Sequence, residues 1–254
     1  MATTHESIDM FPLHRVPVTR PFIWLSEGWD DLWHHPQASL AYGALTVLLG
    51  SLILAYDRHP VYIATTIAAF LLVGPIITAG ICELSRSRDH GEETNFGHSL
   101  KSLRPRRSEL MHFAETLLFI AVAGFGITAL ALYSTTGSIA PALESTLWGD
   151  VMAQLSRVQR TAYLLSCTGL AGVVFALSVV TVPMIIDRHV DAGTAMHMSL
   201  RAALRDFPAM LVWALLIIAL VAFGFATKLI GMVLVLPLLG HATWNAYRDI
   251  VEEA

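Results

Sequence analysis

The chain has 254 residues, of which 55% are apolar and only 14% charged, with a formal net charge of −4. Soluble domains carry about 25% charged residues, so this composition excludes an ordinary water-soluble core and, with a mean hydropathy of +0.59, indicates a polytopic membrane protein. The charge gives no nucleic-acid signal. Cys82 and Cys167 both lie in apolar runs, which argues against a disulfide framework or a zinc knuckle.

The first 36 residues are polar and mixed, without the basic stretch, apolar core and small-residue cleavage site of a signal peptide. Residues 1–20 read as a polar tail and 21–251 as one all-α transmembrane domain. Within its opening, Phe22, Leu25, Trp29, Leu32 and Trp33 recur at helical spacing, with Glu27, Asp30 and Asp31 between them. That is an interfacial helix with tryptophans at headgroup depth. Its acidic face makes it a weak anchor, so packing on the bundle is its expected role.

A hydrocarbon core about 30 Å thick takes about 20 apolar residues of helix. Six runs are predicted as spans: 37–56, 61–86, 109–133, 161–186, 208–226 and 229–248. Only Thr227 and Lys228 part the last two. One helix of about 40 residues would be about 60 Å long, so a tight hairpin is expected there. Between spans three and four, "GDVMAQLSRVQR" reads as a surface helix and Trp148 as resting on the interface.

Loop charge sets the orientation. Arg15, Arg20, Arg86, Arg88, Lys101, Arg104, Arg106, Arg107, Arg188, Arg201, Arg205 and Arg248 fall on one side of the six spans. Arg58, Arg157, Arg160 and Lys228 fall on the other. Both termini are therefore expected in the cytoplasm, as in a bacterial inner-membrane protein, and the basic clusters need no anionic substrate.

Thr94–Lys101 echoes Thr194–Arg201, and each phrase leads through a short amphipathic stretch into a span. "EGWDDLWHHPQASLA" is a weaker third copy, with Leu32, Leu103 and Leu204 each four residues before Pro36, Arg107 and Pro208. Proline suits a first helical turn. Three units are expected, each an elbow helix followed by a transmembrane hairpin. Gly43, Gly50, Gly124, Gly126 and Gly224 would let helices approach. Each even-numbered span carries a proline, Pro75, Pro183 and Pro237, read as packing kinks. The sharper alternative is broken helices at a transport site.

Few ionisable residues lie at membrane depth, where each is costly. They are Glu83 in span two, His112 and Glu115 in span three with Glu109 at its mouth, Asp187 ending span four, and His241 in span six, followed by Trp244, Asn245 and Tyr247. Glu115 lies seven residues past Ser108, about 10 Å in. His112 and Glu115 are three apart and share a helix face. Glu83, His112, Glu115 and His241 could meet as a cluster. The plain reading is a hydrogen-bonded knot joining spans two, three and six. The alternatives are a proton or ion path, and a metal site akin to the Glu-x-x-His pairs of ferritin-like bundles. His34, His35, His59, His90, His98 and His189 read as solvated. No nucleophile elbow, phosphate loop, zinc-protease or dinucleotide motif appears, and no cofactor is expected.

Four stretches carry a resemblance: "GWDDLWHHPQASLAYG", "FLLVGPIITAGICELSR", "FALSVVTVPMIIDRHVDAGTAMHMS" and "LPLLGHATWNAYRDIV". In these the chain resembles the bacterial integral membrane family called domain of unknown function 2189. The resemblance implies a six-span inner-membrane protein whose activity is not established. Members are sometimes labelled cytochrome c oxidase subunits. A haem–copper catalytic subunit has twelve spans and six metal-ligating histidines, and two intramembrane histidines cannot supply that set. The expected role is a non-enzymatic accessory or scaffold of a membrane complex, respiratory complexes included, with the bilayer and another membrane protein as partners. A transporter of small molecules, ions or lipids and a membrane metalloprotein are the alternatives.

Overall fold

The computed structural model describes residues 11–55, 60–92, 95–136 and 156–251. In chain order these form α1 (Arg20–His34), α2 (Pro36–Ala55), α3 (Pro60–Asp89), α4 (Phe96–Ser102), a 3-10 turn (Arg104–Arg106), α5 (Arg107–Thr136), α6 (Arg157–Ser178), α7 (Thr181–Asp187), α8 (Ala192–Arg205), α9 (Phe207–Ala226) and α10 (Met232–Ile250). The class is all-α, as expected. Among the described residues the one β contact is an isolated antiparallel bridge from Leu13 to Val251. It docks the chain ahead of α1 beside the end of α10, where Leu13 is buried and Phe11 packs on the core.

The described parts of the predicted spans are helical except at Val179–Val180 in the fourth and at the turn residues 229–231 that open the sixth. Among the described residues two stretches are long and apolar enough to cross a membrane, Arg157–Asp187 (α6 with α7) and Phe207–Ala226 (α9). The surface-helix reading of "GDVMAQLSRVQR" and Trp148 falls largely or wholly outside the described residues.

The fourth predicted span is not one helix. It breaks at Val179–Val180, just ahead of Pro183, which removes the amide that would have bonded back across the break. Ser199 of α8 fills the gap. Its hydroxyl donates to the Ala176 carbonyl at 2.7 Å and accepts from the Val180 amide at 3.3 Å. Pro75 and Pro237 lie inside α3 and α10, which run on through them. The echo of Ser99 and Ser199 thus has a common use in packing, since Ser99 is also buried and meets the Tyr42 hydroxyl at 2.7 Å. The leucine register is less regular across the three copies: Leu32 and Leu103 are buried, but Leu204 is exposed and Ala203 takes the inward place.

The expected hairpin forms between α9 and α10. The Leu229 amide bonds the Gly224 carbonyl at 3.0 Å and the Lys228 amide bonds that of Phe225 at 2.9 Å. This paired arrangement closes a helix C-terminus and needs a left-handed residue just beyond the cap. Lys228 supplies it at φ 52°, followed by Leu229 at φ 70°.

The return helix α10 packs against α1, α2 and α3. Glycine makes this possible at two crossings. A Cβ on Gly43 would stand 2.1 Å from the Val233 carbonyl oxygen, and one on Gly28 would stand 2.7 Å from the Ala242 amide nitrogen. Backbone meets backbone at both, so neither neighbour can swing away. On the far side of the bundle, Asp191 caps α8 by accepting from the Thr194 amide at 2.9 Å and its hydroxyl at 2.8 Å. Burial alone would raise the Asp191 carboxyl, but hydrogen bonds from Thr194 and from the local backbone outweigh it and hold the group below its ordinary value.

Two outcomes are expected. Gly43→Ala should cost about 1–3 kcal/mol through overpacking, read as a lower unfolding temperature of the purified protein. Asp191→Ala should cost about 1 kcal/mol of cap energy. Because the folded carboxyl is depressed, that contribution is full above the unfolded value and is lost as pH falls through the folded one. The gap between wild type and Asp191→Ala should therefore close in acid, and a gap that widens there would refute the assignment.

Candidate functional site

The polar residues of the bundle gather on the last three turns of α10. His241, Trp244, Asn245, Tyr247, Arg248 and Asp249 project around this helix end, and each reaches at least one other element. The Trp244 indole donates to Asp89 of α3 at 2.8 Å, as does Arg248. The Tyr247 hydroxyl donates to Asp187 of α7 at 2.6 Å and accepts from Arg188 at 3.1 Å. Asp249 accepts from the Trp24 indole at 2.6 Å and from both arms of the Arg20 guanidinium in α1, one of them at 2.9 Å.

His241 is at the centre and is only 1% exposed. Its Nδ1 lies 2.7 Å from the Ser85 hydroxyl and its Nε2 lies 2.9 Å from the Ser39 hydroxyl. Ser85 also donates to Asp31 at 2.8 Å. Its one proton is thus committed, so it must accept from Nδ1–H, and Nε2 accepts from Ser39. The result is a directed chain, Ser39 to His241 to Ser85 to Asp31, that fixes a neutral imidazole. Asp31, buried in α1, accepts further from Arg88 and from the Asn245 amide at 3.2 Å.

The four residues expected to cluster divide into two sets. Glu83 and His241 are buried, but in separate networks. Glu83 is held by the Arg86 fork, with both contacts at 2.8 Å, and by Ser87 at 3.4 Å. His112 and Glu115 are exposed on the outer face of α5, whose buried face is made by Leu110, Phe113, Ala114 and Leu117. The knot of spans two, three and six is therefore replaced by one that joins α1, α2, α3 and α10. The physical reason is rotation: a helix that buries Phe113 and Ala114 turns residues 112 and 115 outward. Among the described residues no three His, Cys, Asp or Glu side chains converge as metal ligands would. Glu109 accepts from the Ala192 amide at 3.0 Å and so links α5 to α8.

Sequence reasoning missed Asp31, Ser39, Ser85 and Arg88. Asp31 was assigned to an acidic outer face, whereas α1 buries Pro21, Trp24, Gly28, Asp31 and Leu32 and exposes Phe22, Trp29 and Trp33. The signal was present as the 3-4-3 spacing of Pro21, Trp24, Gly28 and Asp31, with a glycine in the packing row.

A polar cavity of about 520 Å³ opens beside this network, bounded by α1 and the ends of α3 and α10. Its arginines are all bonded to acids: Arg20 to Asp249, Arg88 to Asp31, and Arg248 to Asp89. Glu27 also lines it. Burial and the nearby Asp249 raise the Glu27 carboxyl above its ordinary value.

An all-α bundle with apolar helices of spanning length and an internally closed polar end is the form of an integral membrane protein. The model of the family described as Predicted integral membrane protein (DUF2189) matches residues 63–187 of the chain. No curated protein and no solved structure matches it. The matched segment contains α5 and the broken α6–α7 pair, but neither α1 nor α10, which hold Asp31 and His241.

Removing Asp31 strands Arg88, Ser85 and Asn245 together. Breaking a buried pair costs about 3–5 kcal/mol; Arg88 is one-third exposed, so Asp31→Ala should fall near the lower end of that range. His241→Ala should cost about 1–3 kcal/mol through the hydroxyls left unpaired. Glu115→Gln should leave the stability of the isolated chain unchanged. Denaturation of the three variants in one detergent, at a concentration low enough to keep the chain monomeric, measures the order, and a Glu115→Gln loss as large as that of Asp31→Ala would refute it.

Proposed function

We propose that the chain is a six-span protein of the bacterial cytoplasmic membrane, with both termini inside. It serves as a non-catalytic accessory or scaffold of a larger membrane complex. Three elbow helices, α1, α4 and α8, would lie at the cytoplasmic interface, each leading into a transmembrane pair. Support comes from the outward rows of these elbows: Phe22, Trp29 and Trp33 on α1, Leu100 on α4, and Leu200 and Leu204 on α8 are all exposed. The arginine-rich turns lie at the same end of the predicted spans.

One observation carries the scaffold reading. Among the described residues no buried side-chain polar atom lacks a hydrogen-bond partner. A pump or an enzyme needs polar groups poised for substrate, yet here His241 is held at both ring nitrogens and Glu83 at both oxygens. Such groups tie helices together and leave the outer faces as the working surfaces. The transporter reading draws on the polar cavity that ends at Asp31. It predicts water-dependent exchange along the chain to Ser39, which a closed tie does not.

Topology and partnership are tested together. In a Cys167→Ser background, Lys228→Cys should react with an impermeant maleimide in intact spheroplasts, and a cysteine placed at Gly91 only after lysis. The reverse pattern would invert the orientation. Gentle purification from native membranes should yield a complex heavier than the detergent-bound chain, and a lone monomer that supports solute flux in vesicles would favour the transporter.

A further inference from the structure

Among the described residues, the outer face of α5 is the one place where ionisable groups point away from the protein at proposed membrane depth without a described partner. His112, Glu115, Phe119 and Val122 are all exposed, and Gly126 is half-exposed with open space where its Cβ would stand. Neither His112 nor Glu115 makes a side-chain hydrogen bond or ion pair with another described residue. The steps between these five are 3, 4, 3 and 4 residues, the spacing of a helix–helix seam rather than of scattered surface positions. The outward row of α9 makes the contrast. Leu211, Leu215, Ile218 and Phe223 are exposed there with no charge among them, as a lipid-facing surface requires.

On the reading of α5 as a span, Glu115 sits about 10 Å inside its cytoplasmic end. A charge facing hydrocarbon at that depth is costly and marks a partner-facing or water-facing position. Lipid tails cannot satisfy the pair. A surface bearing both a carboxylate and an imidazole one turn apart can satisfy itself, because a two-fold interface presents the same patch from both sides. The depth difference of three residues is about 4.5 Å, which the two side chains can span.

We propose that this face of α5 docks a second copy of the same chain about a two-fold axis along the membrane normal. Each copy's His112 donates an imidazole N–H to the other's Glu115 carboxylate. Phe119 and Val122 pack below the two pairs, and Gly126 lets the helices close, as small residues do at membrane seams. The inference rests on the spanning role of α5 in the proposed function and names the partner of that surface.

The test is the mass of the detergent-purified full chain against concentration, by light scattering or native mass spectrometry. Wild type should dimerise. Glu115→Gln or His112→Ala should weaken the dimer at least ten-fold, and the swap His112→Glu with Glu115→His should restore it, because the exchanged pair is still self-complementary. In a Cys167→Ser background, Val122→Cys should form a disulfide-linked dimer in native membranes, and Leu215→Cys on α9 should not. A folded wild-type monomer, a dimer indifferent to Glu115→Gln, or cross-linking of Val122→Cys to a different protein would each overturn the proposal. The spanning reading fails separately. Free reaction of Val122→Cys with a water-soluble maleimide would sink both inferences, whereas a protected cysteine on a monomer would sink only the dimer.

Discussion

The end of α10 is the constraint on which the rest of the bundle depends. Three turns of one helix bond α1, α2, α3 and α7 through side chains that differ at nearly every position. A rotation of α10 by one residue, about 100°, would break every one of these contacts together. Few apolar residues could impose that specificity, because lipid tails are as apolar as leucine and give no driving force for one helix face over another. Directional bonds in a low-dielectric setting do impose it, and a half-satisfied set would be worse than none. This explains why the buried polar groups come as closed networks.

The same constraint accounts for the close backbone crossings. Polar side chains of modest reach, such as Ser39, Ser85 and Asp31, can meet His241 only if the helices carrying them lie close. Gly43 and Gly28 admit α10 to within backbone contact of α2 and α1. Glycine and polar network are thus two parts of one design: the first sets the distance and the second sets the rotation. The break in the fourth span follows a related rule. A proline frees backbone groups, and a buried serine on the neighbouring helix satisfies them, so α8 is held to α6 and α7 by the defect itself.

A protein tied at one end leaves its unpaired surfaces elsewhere. The outward rows of α5 and α9 differ in kind, one carrying a carboxylate and an imidazole and the other none. A bundle whose polar interior is satisfied has no internal use for His112 and Glu115. The burden of pairing them passes to whatever lies against α5, which is why a scaffold reading and a symmetric interface belong together.

By itself the sequence determined the class, most helix positions and the tight turn before α10, because apolar length and turn position are local properties, and it singled out His241 as a polar residue in an apolar run. Pattern alone also led to the serines at 99 and 199 and to the prolines. Helix rotation was not local. Whether Asp31 or Trp29 faces inward depends on the neighbour α10, and whether His112 joins Glu83 depends on how α5 seats Phe113. Those choices belong to tertiary packing, where a turn of 100° per residue separates a buried tie from an exposed one. The break at Val179–Val180 was likewise a tertiary outcome, since a kink becomes a break only where a partner such as Ser199 can satisfy the freed backbone.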